Sequence, residues 1–89
     1  MPELYALLSG LKVDLGITTS VYDDRLVEYL RTAQARIAEE GIALTDSVED
    51  SMLTSQYAAW LWRKRDTGEG MPRMLRLALN NRLFSRKMR

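Results

Sequence analysis

Residues 57–73 read YAAWLWRKRDTGEGMPR, and this stretch decides how the chain is organised. An aromatic helix end passes into a basic cluster, then into a turn with two glycines, and then into a new helix that Pro72 opens. Both tryptophans lie here, and residues two positions apart do not share a helical face. The stretch therefore predicts that Trp60 and Trp62 contact two different surfaces.

The composition indicates one domain that covers residues 1–89. The chain has 89 residues, of which 46% are hydrophobic and 28% are charged, and a chain of this length builds only a modest core. It contains no cysteine and no histidine, which excludes disulfides, thiolate metal sites and the commonest general base. We therefore expect no metal, no cofactor and a core that partner molecules help to stabilise.

The sequence shows no membrane or secretory segment. No apolar run approaches the roughly 20 residues that span a bilayer, and the first residues lack the charged and apolar regions of a signal peptide. We expect a protein of the cytosol or of a virus particle, without membrane contact.

The formal net charge of +1 hides two oppositely charged parts. Residues 1–62 contain four basic and ten acidic side chains, whereas residues 63–89 contain nine basic and two acidic ones. A molecule with two unlike ends attracts an acidic partner at its basic part, or binds copies of itself head to tail.

Hydrophobic periodicity predicts an all-α protein, a small bundle of three to four helices with short loops. The predicted helices cover residues 2–15, 22–40, 48–65 and 72–85. Gly16 and Gly41 stand where the first two helices should end. Asp46 or Ser47 should cap the start of the third helix. Residues 42–45 are either a brief extended stretch or a loop, and the chain should fray beyond the fourth helix.

The last two predicted helices carry more apolar surface than one small core requires. The third has two apolar rows, which are Val48, Met52, Ser55, Ala59 and Trp62, and then Leu53, Tyr57, Trp60 and Leu61. The fourth has a first row of Leu75, Ala78, Leu79 and Leu83 and a second row of Met74, Leu77 and Phe84. A helix that is apolar on two sides is either central to its domain or partly buried against another molecule. At least one tryptophan should lie in the core, and the other is a candidate for an interface.

The sequence contains no residue pattern that predicts a catalytic site. Paired carboxylates occur at residues 23–24 and 39–40, but the first pair suits a helix N-terminus and the second a solvated helix end. Adjacent helical residues do not converge on one substrate atom. Residues 68–70 lack the spacing and the preceding strand of a phosphate-binding loop. We expect a protein that is not an enzyme.

The basic C-terminal part has three interpretations. Its charges form a solvated face that suits the end of the third helix, or bind an acidic protein surface, or bind nucleic-acid phosphates. A DNA-binding domain with a helix-turn-helix around residues 68–70 is the main alternative to protein binding. Against it, Met74, Leu77 and Phe84 interrupt the polar side of the fourth helix, and the acidic first part would repel DNA.

Several segments resemble one family of virion proteins. They are residues 57–68 (YAAWLWRKRDTG), 71–75 (MPRML) and 80–85 (NNRLFS). Residues 11–17 (LKVDLGI), followed by a helix with acidic Asp23 and Asp24, add to the likeness. With these motifs the chain resembles the small head-tail connector proteins of tailed phages and prophages, often labelled DNA-packaging proteins. The likeness covers nearly the whole chain, although this chain is shorter than many such proteins, and it includes no catalytic residue.

The resemblance implies a helical adaptor. Copies would form a ring beneath the portal protein, extend the DNA channel and offer a platform to the next head-completion or tail protein. DNA would pass through without sequence-specific binding, and the protein would reside at the head-tail joint after assembly in the host cytoplasm. The family's C-terminal region meets the portal, which corresponds here to the fourth helix and the residues after Phe84. A helical interaction module outside any virion is a third possibility.

These expectations define two sets of candidate residues. The portal-docking candidates are Arg63, Lys64, Arg65, Arg73, Arg76, Arg82, Phe84, Arg86 and Lys87. The subunit-interface candidates are Trp60, Trp62, Met74 and Leu77. Replacing Arg73, Arg76 and Arg82 by glutamate should abolish portal docking and leave the monomer folded. Acidic residues of the first part should line the passage and keep DNA from sticking.

Overall fold

The computed structural model describes residues 4–87, with side chains up to residue 84. Its helices are α1 (Leu4–Leu15), α2 (Asp23–Glu39), α3 (Val48–Thr67) and α4 (Arg73–Lys87). Turns and short loops join them, and no strand occurs among the residues described. The protein is therefore an all-α bundle with short loops, as hydrophobic periodicity predicted.

Each end of α3 has a cap. Ser47 precedes the helix in an extended conformation, and its hydroxyl accepts a hydrogen bond from the Asp50 amide at 3.1 Å. Of the two predicted caps, Asp46 and Ser47, the second is the one used. Gly68 ends the helix in the left-handed conformation, with φ at 67°, and its amide donates to the Lys64 carbonyl at 2.7 Å.

The last two helices continue beyond their predicted C-termini. α3 extends to Thr67 because Gly68, and not the basic cluster before it, stops the helix. α4 extends to Lys87, two residues beyond the end predicted at residue 85. Residues 88–89 lie outside the described part of the chain.

α3 is the central helix, and it packs against α1, α2 and α4. α2 runs antiparallel to α3, since Trp62 near the end of α3 contacts Tyr22 just before α2 begins. α4 folds back along α3 and packs mainly against that helix. The hydrophobic side chains with no exposed surface are Leu11, Leu26, Leu30, Ala33, Ile37, Ala58 and Leu79. All four helices therefore contribute to one hydrophobic core.

The loop before α3 closes one side of this core. Ile42 and Leu44 are buried, whereas their neighbours face outward. Thr45 then anchors the loop, because its amide and its hydroxyl both donate to Asp50 Oδ2, at 2.7 and 2.9 Å. Residues 42–45 are thus a loop and not an extended strand.

The two predicted rows of α3 have different surroundings. Leu53, Tyr57 and Leu61 from the second row are buried against the core. The first row divides, because Ala59 is buried whereas Met52 remains 56% exposed. The central position of α3 accounts for its second row, and part of the first row remains open to contact with other molecules.

Candidate assembly surface

Trp62 joins α3 to α2 through aromatic edges. Its ring centroid lies 5.5 Å from that of Tyr22 and 5.6 Å from that of Tyr29, both at steep interplanar angles. The Arg65 guanidinium lies 3.8 Å from the Trp62 ring centroid and also pairs with Asp66 at 3.0 Å. Trp62 is therefore half-buried, with its ring edges and one ring face in contact with its own chain.

Trp60 faces the turn between α3 and α4. Its indole N–H donates to the carbonyls of Glu69 at 3.3 Å and Gly70 at 3.1 Å. Its ring meets Tyr57 edge-on at 5.5 Å, and Lys64 Nζ lies 4.6 Å from the ring centroid. The tryptophans thus contact two different surfaces, as their spacing predicted. Their predicted part in a subunit interface stays a prediction.

Arg82 is bound inside the chain. Its Nε donates to Asp50 Oδ1 at 2.8 Å, and its Nη2 donates to Asp50 Oδ2 at 3.2 Å and to the Ala43 carbonyl at 2.9 Å. The Asp50 side chain is 1% exposed and the Arg82 side chain 21% exposed. Burial raises the pKa of Asp50, but the hydrogen bonds from Arg82 and Thr45 outweigh burial and hold that pKa below its usual value.

Arg76 is also used within the chain, in an ion pair with Glu40 at the end of α2. The expectation that the monomer stays folded when Arg73, Arg76 and Arg82 are replaced by glutamate therefore needs correction. A glutamate at position 82 would oppose the enclosed carboxylate of Asp50, and two like charges in that position destabilise the fold. Loss of docking in that variant would not separate binding from unfolding.

The remaining basic candidates gather where α3 ends and α4 begins. We name Arg63, Lys64, Arg65 and Arg73 the basic end. Arg63 and Arg73 are exposed, and neither has an ion-pair partner among the residues described. The side chains of Arg86 and Lys87 lie outside the described part of the chain. Of the predicted docking arginines, Arg63 and Arg73 thus keep their charge most available to a partner.

The second predicted row of α4 points away from the core. Met74 is 77% exposed, Leu77 43% and Phe84 60%, whereas Leu75 and Leu79 on the opposite side are buried. These three exposed side chains, named the α4 row, lie on one helical side at spacings of three and seven. The α4 row is an apolar surface that the described residues leave exposed.

A second open surface lies between α1 and α3. This α1–α3 groove has a volume of about 560 Å³. It is lined by Ala6, Leu7, Gly10, Val13, Asp14, Asp46, Val48, Ser51, Met52, Ser55 and Gln56. Val48, Met52 and Val13 are exposed although apolar. No lysine or arginine within residues 4–84 lines the groove.

Sequence reasoning identified the α3 wall of this groove and missed the α1 wall. The hydrophobic periodicity of α1 identifies its buried leucines, and Val13 does not follow that periodicity. Gly10 lies in the middle of α1, where a glycine weakens a helix. A Cβ built on Gly10 meets nothing within 4 Å, so the glycine stands beside open space. A mid-helix glycine is the signal that could have indicated a site of close approach.

No helix in residues 4–87 combines the length and the apolar character needed to cross a membrane. The same part of the chain holds no group of three or more acidic side chains arranged to bind a metal ion. Comparisons with protein-family models, curated proteins and solved structures find no match.

Proposed function

We propose that the protein is a head-tail connector, a structural virion subunit that forms a ring with its own copies beneath a portal protein. The ring extends the DNA channel and presents a surface to the next head-completion or tail protein. The observation that carries this proposal is the exposed α4 row. Met74, Leu77 and Phe84 remain exposed on one side of α4, whereas Leu75 and Leu79 on its opposite side are buried in the core.

The charge distribution supports an assembly part with two unlike contacts. Arg63, Lys64 and Arg73 stand exposed at the basic end, and acidic side chains dominate the first 62 residues. Surfaces of different composition on one subunit make heterologous contacts, which close into a ring when the rotation between copies allows it. The basic end and the C-terminal turn of α4 dock on an acidic portal surface in this proposal, and acidic residues facing the channel repel DNA.

The test is co-purification with the portal protein encoded in the same genome. Affinity-tagged portal is expressed together with this chain, and bound chain is quantified and imaged by electron microscopy. We expect several copies arranged as a ring on the portal. Chain that does not bind the portal, or that is retained on duplex DNA with a steep salt dependence, would overturn the proposal.

Charge variants locate the docking surface. The double change Arg63→Glu and Lys64→Glu should weaken portal binding, and Arg86→Glu with Lys87→Glu tests the C-terminal turn. The matched control is Arg25→Glu with Arg31→Glu, which alters two exposed arginines on α2. Equal binding by all three variants and the unchanged chain would contradict docking through basic residues. Circular dichroism of each variant checks that the helices persist.

A further inference from the structure

We infer that the α1–α3 groove is the seat for α4 of a second copy of this chain. This inference rests on the proposed function, because it names the contact that joins neighbouring subunits of the ring. The occupying segment is the first half of the α4 row, Met74 and Leu77, together with the exposed Arg73 beside them. The groove and the row each occur once per chain, so every copy offers one of each.

The shape of the groove suits an incoming helix. Small residues line both walls, with Ala6 and Gly10 on α1 and Ser51 and Ser55 on α3. Gly10 has open space where a side chain would stand. Small residues let a second backbone approach closely, and exposed Met52 supplies a flexible apolar contact for the entering side chains.

Charge complementarity selects the occupant. Asp14 and Asp46 line the groove, and no described basic residue does. α4 contains no aspartate or glutamate, and Arg73 at its start is exposed. An apolar row on a helix without acidic residues thus meets an apolar groove with an acidic rim. The chain itself carries this matching surface, which favours a second copy over an unrelated partner.

The two surfaces differ, so the contact between copies is heterologous. Each subunit inserts α4 into the next and receives α4 from the previous one, which propagates until a ring closes. If the groove is blocked on one copy and the row is disabled on another, one contact should therefore remain. It joins the intact row of the first copy to the intact groove of the second. This property provides a test that depends on the chain alone.

The test mixes two variants in sedimentation velocity experiments. Gly10→Leu fills the groove and keeps the row, and the leucine improves the helix propensity of α1. Met74→Glu with Leu77→Glu disables the row and keeps the groove. We expect the unchanged chain to form oligomers, each variant alone to be a monomer, and an equal mixture to form a one-to-one complex and nothing larger.

Matched controls separate this contact from general effects. Ser9→Leu adds the same side chain at an exposed neighbour that does not line the groove, and Thr32→Glu with Ala35→Glu adds the same charges on exposed α2 positions. Both controls should assemble like the unchanged chain. An unchanged chain that stays a monomer, a mixture that stays monomeric, or controls that dissociate as fully as the variants would overturn the inference.

Portal binding is measured separately for the same variants. Portal binding without a mixed complex would overturn the groove contact and leave the proposed function intact. A mixed complex without portal binding would support the groove contact and overturn the connector role. The two proposals therefore fail in different measurements.

Discussion

Arg82 on α4 reaches across to Asp50 in the first turn of α3, and its Nε lies 2.8 Å from Asp50 Oδ1. The two residues are 32 positions apart in the sequence. Thr45 donates to the same carboxylate, so one enclosed charge joins the loop before α3, the start of α3 and the second half of α4. This contact holds the second half of α4 against the start of α3, with the α4 row on the outward side.

Arg82→Met should lower the free energy of unfolding by roughly 3 kcal/mol, because it leaves the Asp50 charge enclosed without its ionic partner. We place the loss at the lower end of the usual range since Arg82 is partly exposed. The exposed Arg73→Met is the control and should change stability by less than about 0.5 kcal/mol. Urea denaturation measures both. A double variant that also carries Asp50→Asn should recover part of the loss, and no recovery would argue against an uncompensated charge.

The Asp50 carboxyl should make the fold sensitive to acid. Its pKa in the folded chain lies below the unfolded value of about 3.9, so the folded state binds fewer protons in that range. Its contribution to stability is therefore complete above the unfolded pKa and is lost as pH falls through the folded pKa. Denaturation midpoints of the unchanged chain and of Asp50→Asn should differ most near neutral pH and converge in acid. A difference that is constant with pH would contradict this linkage.

Two glycines should respond to alanine in opposite directions. Gly41 has φ at 93°, a conformation that costs an alanine about 1–2 kcal/mol, although the nearest atom to its Cβ would be Leu83 Cδ1 at an ordinary 3.6 Å. Gly10 lies within α1 beside open space, so Gly10→Ala should stabilise the chain by about 0.5–1 kcal/mol. Thermal unfolding gives both values. If both substitutions stabilise the chain, or both destabilise it, backbone conformation does not determine their effects on stability.

The sequence predicted much of the fold because its signals are local. Leu26, Leu30 and Ile37 repeat at helical spacing and are all enclosed, and glycines stand at the helix ends where left-handed backbone is needed. The separation of Trp60 and Trp62 onto different surfaces also followed from helical geometry alone. Each of these features depends on residues within a few positions of one another.

The candidate surfaces depended on contacts between distant residues. From the sequence, Arg82 belonged with Arg63 and Arg73 as a docking charge, and only the packing of α4 on α3 brings it to Asp50. The groove beside Gly10 likewise needs α1 and α3 to lie side by side.

By itself the sequence determined the helical class, most helix ends, the two charged parts and the surplus apolar row of α4. The tertiary structure decided which charges are neutralised inside the chain and which apolar side chains stay in water. The physical reason is that periodicity and capping act along one helix, whereas ion pairing and burial depend on which distant helices meet.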